Sequence, residues 1–163
     1  MGSNERKSTV ISLTPTISAS AAYAVGDQVG DLKELSNAMD DSSGTGEILS
    51  ISVVDKSTQS MALDVLLFND KPVVTSTDNI SLNIADSEMA SKFLGVVRVA
   101  TSDYLTLAAN TVATVKNVNV LVNAVKSSDN TTGRSLWAIL RSAGTSTFGS
   151  TSDLVLKVGI LQD

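Results

Sequence analysis

A two-residue period constrains this chain more than any other feature. Leu154, Leu156, Val158 and Ile160 alternate with Lys157 and Gly159. Val118, Val120 and Val122 alternate with Asn117, Asn119 and Leu121. Leu49, Ile51 and Val53 alternate with Ile48, Ser50 and Ser52. Successive side chains of an extended chain point to opposite faces, so each run predicts a half-buried strand. Between Met61 and Phe68 both faces are largely apolar, which predicts a strand central to a sheet. Asp64 interrupts the second face of that strand and needs a hydrogen-bonded partner or an exit to solvent. Leu136 to Arg141 and Val96, Val97 and Val99 supply further short strands.

The turns agree with the strands. Asp40-Asp41-Ser42-Ser43-Gly44-Thr45-Gly46 and Asn69-Asp70-Lys71-Pro72 are residues that favour turns over ladders. Asp outnumbers Glu by 13 to 4, and the straight-chain helix formers are scarce beside Val, Ile, Thr and Asn. Leu32 to Met39 is ambiguous, since a run so short fits a helix or a strand. One helix is predicted around Met89–Phe93 and Ala90–Leu94, two i,i+4 apolar pairs, with Asp86 as N-cap and Gly95 as its end. Short strands, frequent turns and one helix describe an all-β domain, a β-sandwich or jelly-roll-like fold.

At 163 residues, with 42% hydrophobic content, one domain is expected. Residues 1–22 read as an extended N-terminal arm and residues 23–163 as the sandwich. Ser8 to Thr14 is a strand-like run closed by Pro15, and the small residues after it offer a core little to hold. Val10, Ile11 and Leu13 are the apolar teeth of that arm and its candidate contacts with a neighbouring subunit or a capsid. An ordinary first edge strand is the competing expectation.

The chain has no cysteine and no histidine. Thiol nucleophiles, disulfides, histidine bases and the usual zinc, copper and haem ligands are therefore excluded. A formal charge of −5 repels phosphate backbones and anionic membranes, so neither nucleic acid nor membrane is an expected partner. The polar start of the chain lacks a signal peptide's apolar stretch, which predicts synthesis in a cytoplasm without standard export.

The candidate motifs are thin. Asp40-Asp41 lacks the alternating ligands of a calcium loop, and Gly44-Thr45-Gly46 lacks the ending of a phosphate loop. Neither a cofactor, a metal nor a catalytic residue is implied. Asn79-Ile80-Ser81 and Asn130-Thr131-Thr132 match the glycosylation pattern, which says little without secretion. Trp137 is the sole tryptophan and reads first as a core filler, second as a sugar or subunit contact.

Four stretches carry a resemblance. They are Ser20-Ala21-Ala22-Tyr23-Ala24-Val25-Gly26-Asp27-Gln28-Val29-Gly30, Met61-Ala62-Leu63-Asp64-Val65-Leu66-Leu67-Phe68, Gly95-Val96-Val97 after the short helix, and Ser152 to Asp163 with its Gly159-Ile160-Leu161-Gln162-Asp163 end. In this order they resemble a group of tailed-bacteriophage virion structural proteins, from about Ser20 to the end. The resemblance implies a virion component, either a capsid decoration protein or a head fibre, and brings no catalytic residues.

Two readings follow. In the first, a homo-oligomer, dimer or trimer, cements the outer face of a phage head by contacts with the major capsid protein or other virion proteins, and avidity replaces chemistry. In the second, a fibre, spike or tail module displays Trp137 or Tyr104 to stack on a host-surface glycan. A hydrolase with an unmarked carboxylate pair is a third and remote expectation. Deleting residues 1–22 is expected to abolish assembly and leave the domain folded.

Overall fold

The computed structural model describes residues Arg6–Asp163; the first five residues of the expected arm lie outside it. Eleven strands and one α-helix run in the order β1 (Lys7–Leu13), β2 (Ala22–Tyr23), β3 (Gln28–Leu35), β4 (Thr45–Asp55), β5 (Leu63–Phe68), α1 (Asp86–Lys92) and β6 (Phe93–Val99). The chain then continues through β7 (Tyr104–Thr106), β8 (Thr111–Asn123), β9 (Leu136–Ser142), β10 (Ser146–Thr147) and β11 (Leu154–Gln162). A five-stranded sheet has the order β1-β11-β4-β8-β7, and a four-stranded sheet has the order β3-β9-β5-β6. β10 and β2 form a separate pair. Among the described residues, all pairings between these strands are antiparallel.

The two large sheets face each other across one core. Ile48, Ile51 and Val53 of β4 and Leu156 and Val158 of β11 meet Leu63, Val65 and Leu67 of β5 and Leu140 of β9. The fold is all-β and sandwich-like. β5 lies between β9 and β6, as its two apolar faces require. A second cluster forms on the outer face of the four-stranded sheet. There Phe68, Trp137 and Ile139 pack beneath Val74, Leu82, Ile84 and Met89 of the segment between β5 and β6.

Several sequence expectations change. The expected arm is the edge strand of the chain's own sheet: β1 pairs with β11 in unbroken register from Lys7↔Gln162 to Leu13↔Leu156. Leu13 and Ile17 are both in the core, so the boundary at residue 22 disappears. Small residues had suggested weak anchoring, but the main chain anchors this segment by ladder hydrogen bonds, which side-chain size does not report.

The alternation in β4 also breaks. Ile48, Ile51 and Val53 are buried, while Leu49 is 37% exposed. The register jumps between Ile48 and Ser50, where Leu49 is an extra residue. A β-bulge of this kind shifts the phase of every side chain beyond it. β8 is irregular at the same level, between Lys116 and Val120, with Asn117 and Asn119 at φ of 53° and 51°. Asn is among the few side chains that accept this region readily.

The helix is shorter than expected. Ala85 takes the N-cap position, Asp86 is the first helical residue, and the chain is already extended at Phe93. Gly95 pairs with Leu67 inside β6. Leu32 to Leu35 resolves to strand. No helix among the described residues is long and apolar enough to cross a membrane.

Candidate functional site

The candidate contact residues of the N-terminal segment separate by face. Leu13 is buried and Ile11 packs against the core, so neither is a free tooth. Val10 is 67% exposed on the opposite face. Its partner in β11 is Gly159, which leaves one flank of Val10 bare. A Cβ on Gly159 would stand 2.5 Å from the Ser50 hydroxyl, which would have to rotate aside.

Val10 belongs to a larger surface. Following the register outward, Val155, Val54, Val112 and Leu105 form one row across β11, β4, β8 and β7. Leu161, Glu47 and Leu121 form another across β11, β4 and β8. Leu105 is exposed and Leu121 is 78% exposed. Among the described residues, neither α1 nor a strand of the other sheet makes substantial contact with this face. Lys116, Lys157 and Glu47 lie among these apolar side chains. The outer face of the five-stranded sheet is thus a mixed surface with apolar rows.

The two aromatic candidates are not displayed together. Trp137 is 3% exposed and sits beneath the segment between β5 and β6, where its ring cannot stack on a sugar. This corrects the glycan expectation for Trp137, because that segment covers the face on which the indole projects. Tyr104 is half-buried, and its hydroxyl donates to the Met61 carbonyl at 2.9 Å. Burial, then the nearby Asp55 and Asp103, pushes that hydroxyl's pKa well above its ordinary value. It is a structural phenol.

A cavity of about 680 Å³ opens between β3 and residues 71–78. Leu32, Pro72, Val73 and Val74 line its apolar side, and Gln28, Asp31 and Asp78 its polar side. These polar groups hold the walls. Asp78 accepts from the Tyr23 hydroxyl at 2.6 Å, from the Gly30 amide at 2.5 Å and from the Ser18 hydroxyl. The Gln28 side-chain amide donates to the Gly30 carbonyl, and its oxygen accepts from Ser76. Burial alone would raise the pKa of Asp31. The Thr16 amide and Lys33 outweigh it, and the carboxyl lies below its usual value. Lys71 and Asp129, also on the lining, are the charged groups left over for a ligand.

Sequence reasoning missed the partners of its acidic residues. Asp64, 6% exposed, accepts from Arg98 at 2.5 and 2.9 Å and from Arg141 at 3.1 Å, which answers the need noted for it. The three residues sit side by side on β6, β5 and β9. Asp55 is buried and accepts the amides of Ser57, Gln59 and Ser60, closing the turn after β4. Asp40 is tied to Lys7 at 2.8 Å. Asn130 is buried, with its amide nitrogen donating to the carbonyls of Val125 and Ser135, so this glycosylation match is a loop anchor. Strand register alone could have paired Asp64; the others depend on loop paths.

No protein-family model matches the chain, and a search of curated proteins finds no match.

Proposed function

We propose that this chain is a structural protein of a tailed-phage virion that decorates the outer surface of the head and cements neighbouring capsid subunits. The observation that carries the reading is the bare outer face of the five-stranded sheet, where Val54, Val112, Val155, Leu105 and Leu121 alternate with lysines and hydroxyls. Exposed apolar rows rimmed by polar groups suit a broad, non-covalent contact, and many copies supply avidity without tight single sites. The four sequence stretches that resemble phage virion proteins support the same reading.

The test is to locate and count the protein in intact virions by cryo-electron microscopy. Many copies on the head, contacting the major capsid protein through this face, are expected. A few copies at one vertex or on the tail, or absence from the particle, would overturn decoration. A second reading, a fibre or spike module that grips a host-surface glycan, is favoured by the cavity beside β3 and not by Trp137. Glycan-array binding lost in Lys71→Ala and Asp129→Ala, with folding unchanged, would select it.

A further inference from the structure

We infer that the outer edge of β1 is a dimerisation seam, at which a second copy of this chain adds its own β1 antiparallel. The two large sheets have four edges, at β1, β7, β3 and β6. An edge strand exposes unpaired N–H and C=O groups, and proteins that remain monomeric blunt their edges. Three of the four edges here are blunted, each differently. β7 is three residues long and covers only Thr111–Ala113 of β8, and the rest of that edge is broken by the irregularity at Asn117–Asn119. β6 carries a bulge at Leu94, where its register with β5 shifts between Leu67 and Phe68, and an exposed arginine, Arg98.

β3 is interrupted, pairing with β9 at Gln28 and Val29 and again only from Lys33. Pro15 and Thr16 lie over the interruption. A Cβ on Gly30, at φ of +76°, would stand 2.5 Å from Pro15, and the Thr16 amide donates to Asp31.

β1 has none of these devices. Its seven residues pair with β11 without a register shift, contain no proline and bear one charge, Lys7, at the end and engaged by Asp40. Among the described residues, no strand pairs with its other side.

The strand is self-complementary in the antiparallel sense. Centred on Val10, a two-fold seam sets Val10 against Val10 of the second copy, Ser8 against Ser12, Thr9 against Ile11 and Lys7 against Leu13. Side chains opposite each other then share a face, so core-facing Thr9 and Ile11 meet and the outward Ser8, Val10 and Ser12 meet. The positive charges of Arg6 and Lys7 lie at one end of the strand. Each is already paired, Arg6 with Asp163 and Lys7 with Asp40, so the antiparallel seam is selected by closure: it is two-fold, with the same residues on both sides, and ends at two copies. The seam joins the two five-stranded sheets into one ten-stranded sheet and makes their bare outer faces continuous. It stands independently of the particle to which the protein binds.

Light scattering on the full chain, coupled to size exclusion at micromolar concentration, is expected to show a dimer. Val10→Lys sets two ammonium groups face to face at the two-fold axis and is expected to weaken the dimer about a hundredfold, with thermal unfolding of the monomer unchanged because Val10 is exposed. Mixing Val10→Lys with Val10→Glu is expected to restore a heterodimer. Because the chain has no cysteine, Val10→Cys offers one thiol per copy. Mild oxidation is expected to cross-link it quantitatively, while Val96→Cys, similarly exposed on β6, stays monomeric on a non-reducing gel. A monomeric wild type, a dimer indifferent to Val10→Lys, or equal cross-linking at both cysteines overturns the seam. A dimer that fails to bind phage heads would keep the seam and sink decoration; a monomer that binds heads would do the reverse.

Discussion

On the outer face of the four-stranded sheet, Phe68, Trp137 and Ile139 lie beneath Val74, Leu82, Ile84 and Met89, all from the stretch between β5 and β6. The outer face of the five-stranded sheet ends in Val54, Val112 and Val155, half-buried only by their neighbours, with Leu105 and Leu121 projecting. The difference lies in side-chain type as much as in cover. The covered face carries the large aromatics, whose area demands burial. The bare face carries mainly valine and leucine interleaved with Lys116, Lys157, Ser52 and Thr114, a mixture that tolerates water until a partner displaces it. One sheet has its second layer built in, and the other has a surface that another molecule can complete.

The largest expected effect on this contrast comes from Trp137→Ala. Emptying the space beneath the covering segment should cost about 3–5 kcal/mol in denaturant unfolding; a loss below about 1 kcal/mol would mean that the cover does not depend on the indole. Asp64→Ala comes next. It leaves Arg98 and Arg141 facing each other at the uncovered end of the same sheet, and the lost charge-assisted hydrogen bonds should cost about 2 kcal/mol, reduced by salt because both guanidiniums are partly exposed.

Acid should loosen the covered face first. The Glu88 carboxylate accepts from Lys92 at 2.7 Å and from the Val73 amide at 2.9 Å, and these hold its pKa below the usual value. A carboxyl depressed in the folded state stabilises above its unfolded pKa and loses that contribution as pH falls through the lower folded value. Trp137 fluorescence, which reports on the space under the cover, is therefore expected to change below about pH 4, before the strand signal in circular dichroism. Simultaneous loss of both would show that Glu88 does not pin the cover.

The smallest effect on stability belongs to the bare face. Leu105→Ser and Leu121→Ser should shift unfolding by no more than about 0.5 kcal/mol; under the proposed function they also abolish binding to phage heads. A stability loss comparable to that of Trp137→Ala would show that the two faces do not differ in kind.

Strand positions were legible wherever the period was strict, as in β11 and β5, because alternation is a direct imprint of a two-faced sheet. Where Leu49 inserts into β4, the sequence kept its apparent period and the phase was misread, since a bulge is a backbone event that apolar spacing does not mark. The N-terminal segment was misjudged for a related reason. Ladder hydrogen bonds attach Lys7–Leu13 to β11 whatever the side chains are, and a deletion of residues 1–22 is accordingly expected to unfold the domain, not spare it. Of the candidate site residues, Val10 kept an exposed position. Trp137 was legible as a core filler, and it is buried; what the sequence did not show is its cover, an irregular stretch around Pro72 and Ile84 with no period to read.

The irregularities of β4 and β8 also bear on how the chain reaches this structure. A long, evenly alternating strand can slide past its neighbour by two residues and still turn its apolar side inward. With Leu49 inserted in β4 and Asn117–Asn119 looped in β8 at the same level, the segments on either side of the bulge obey different phases. No such slide satisfies both segments at once. The fault line thus works as a register key between β4 and β8: only the native alignment sets Leu49 against Asn117–Asn119 and keeps the apolar side inward along the full length.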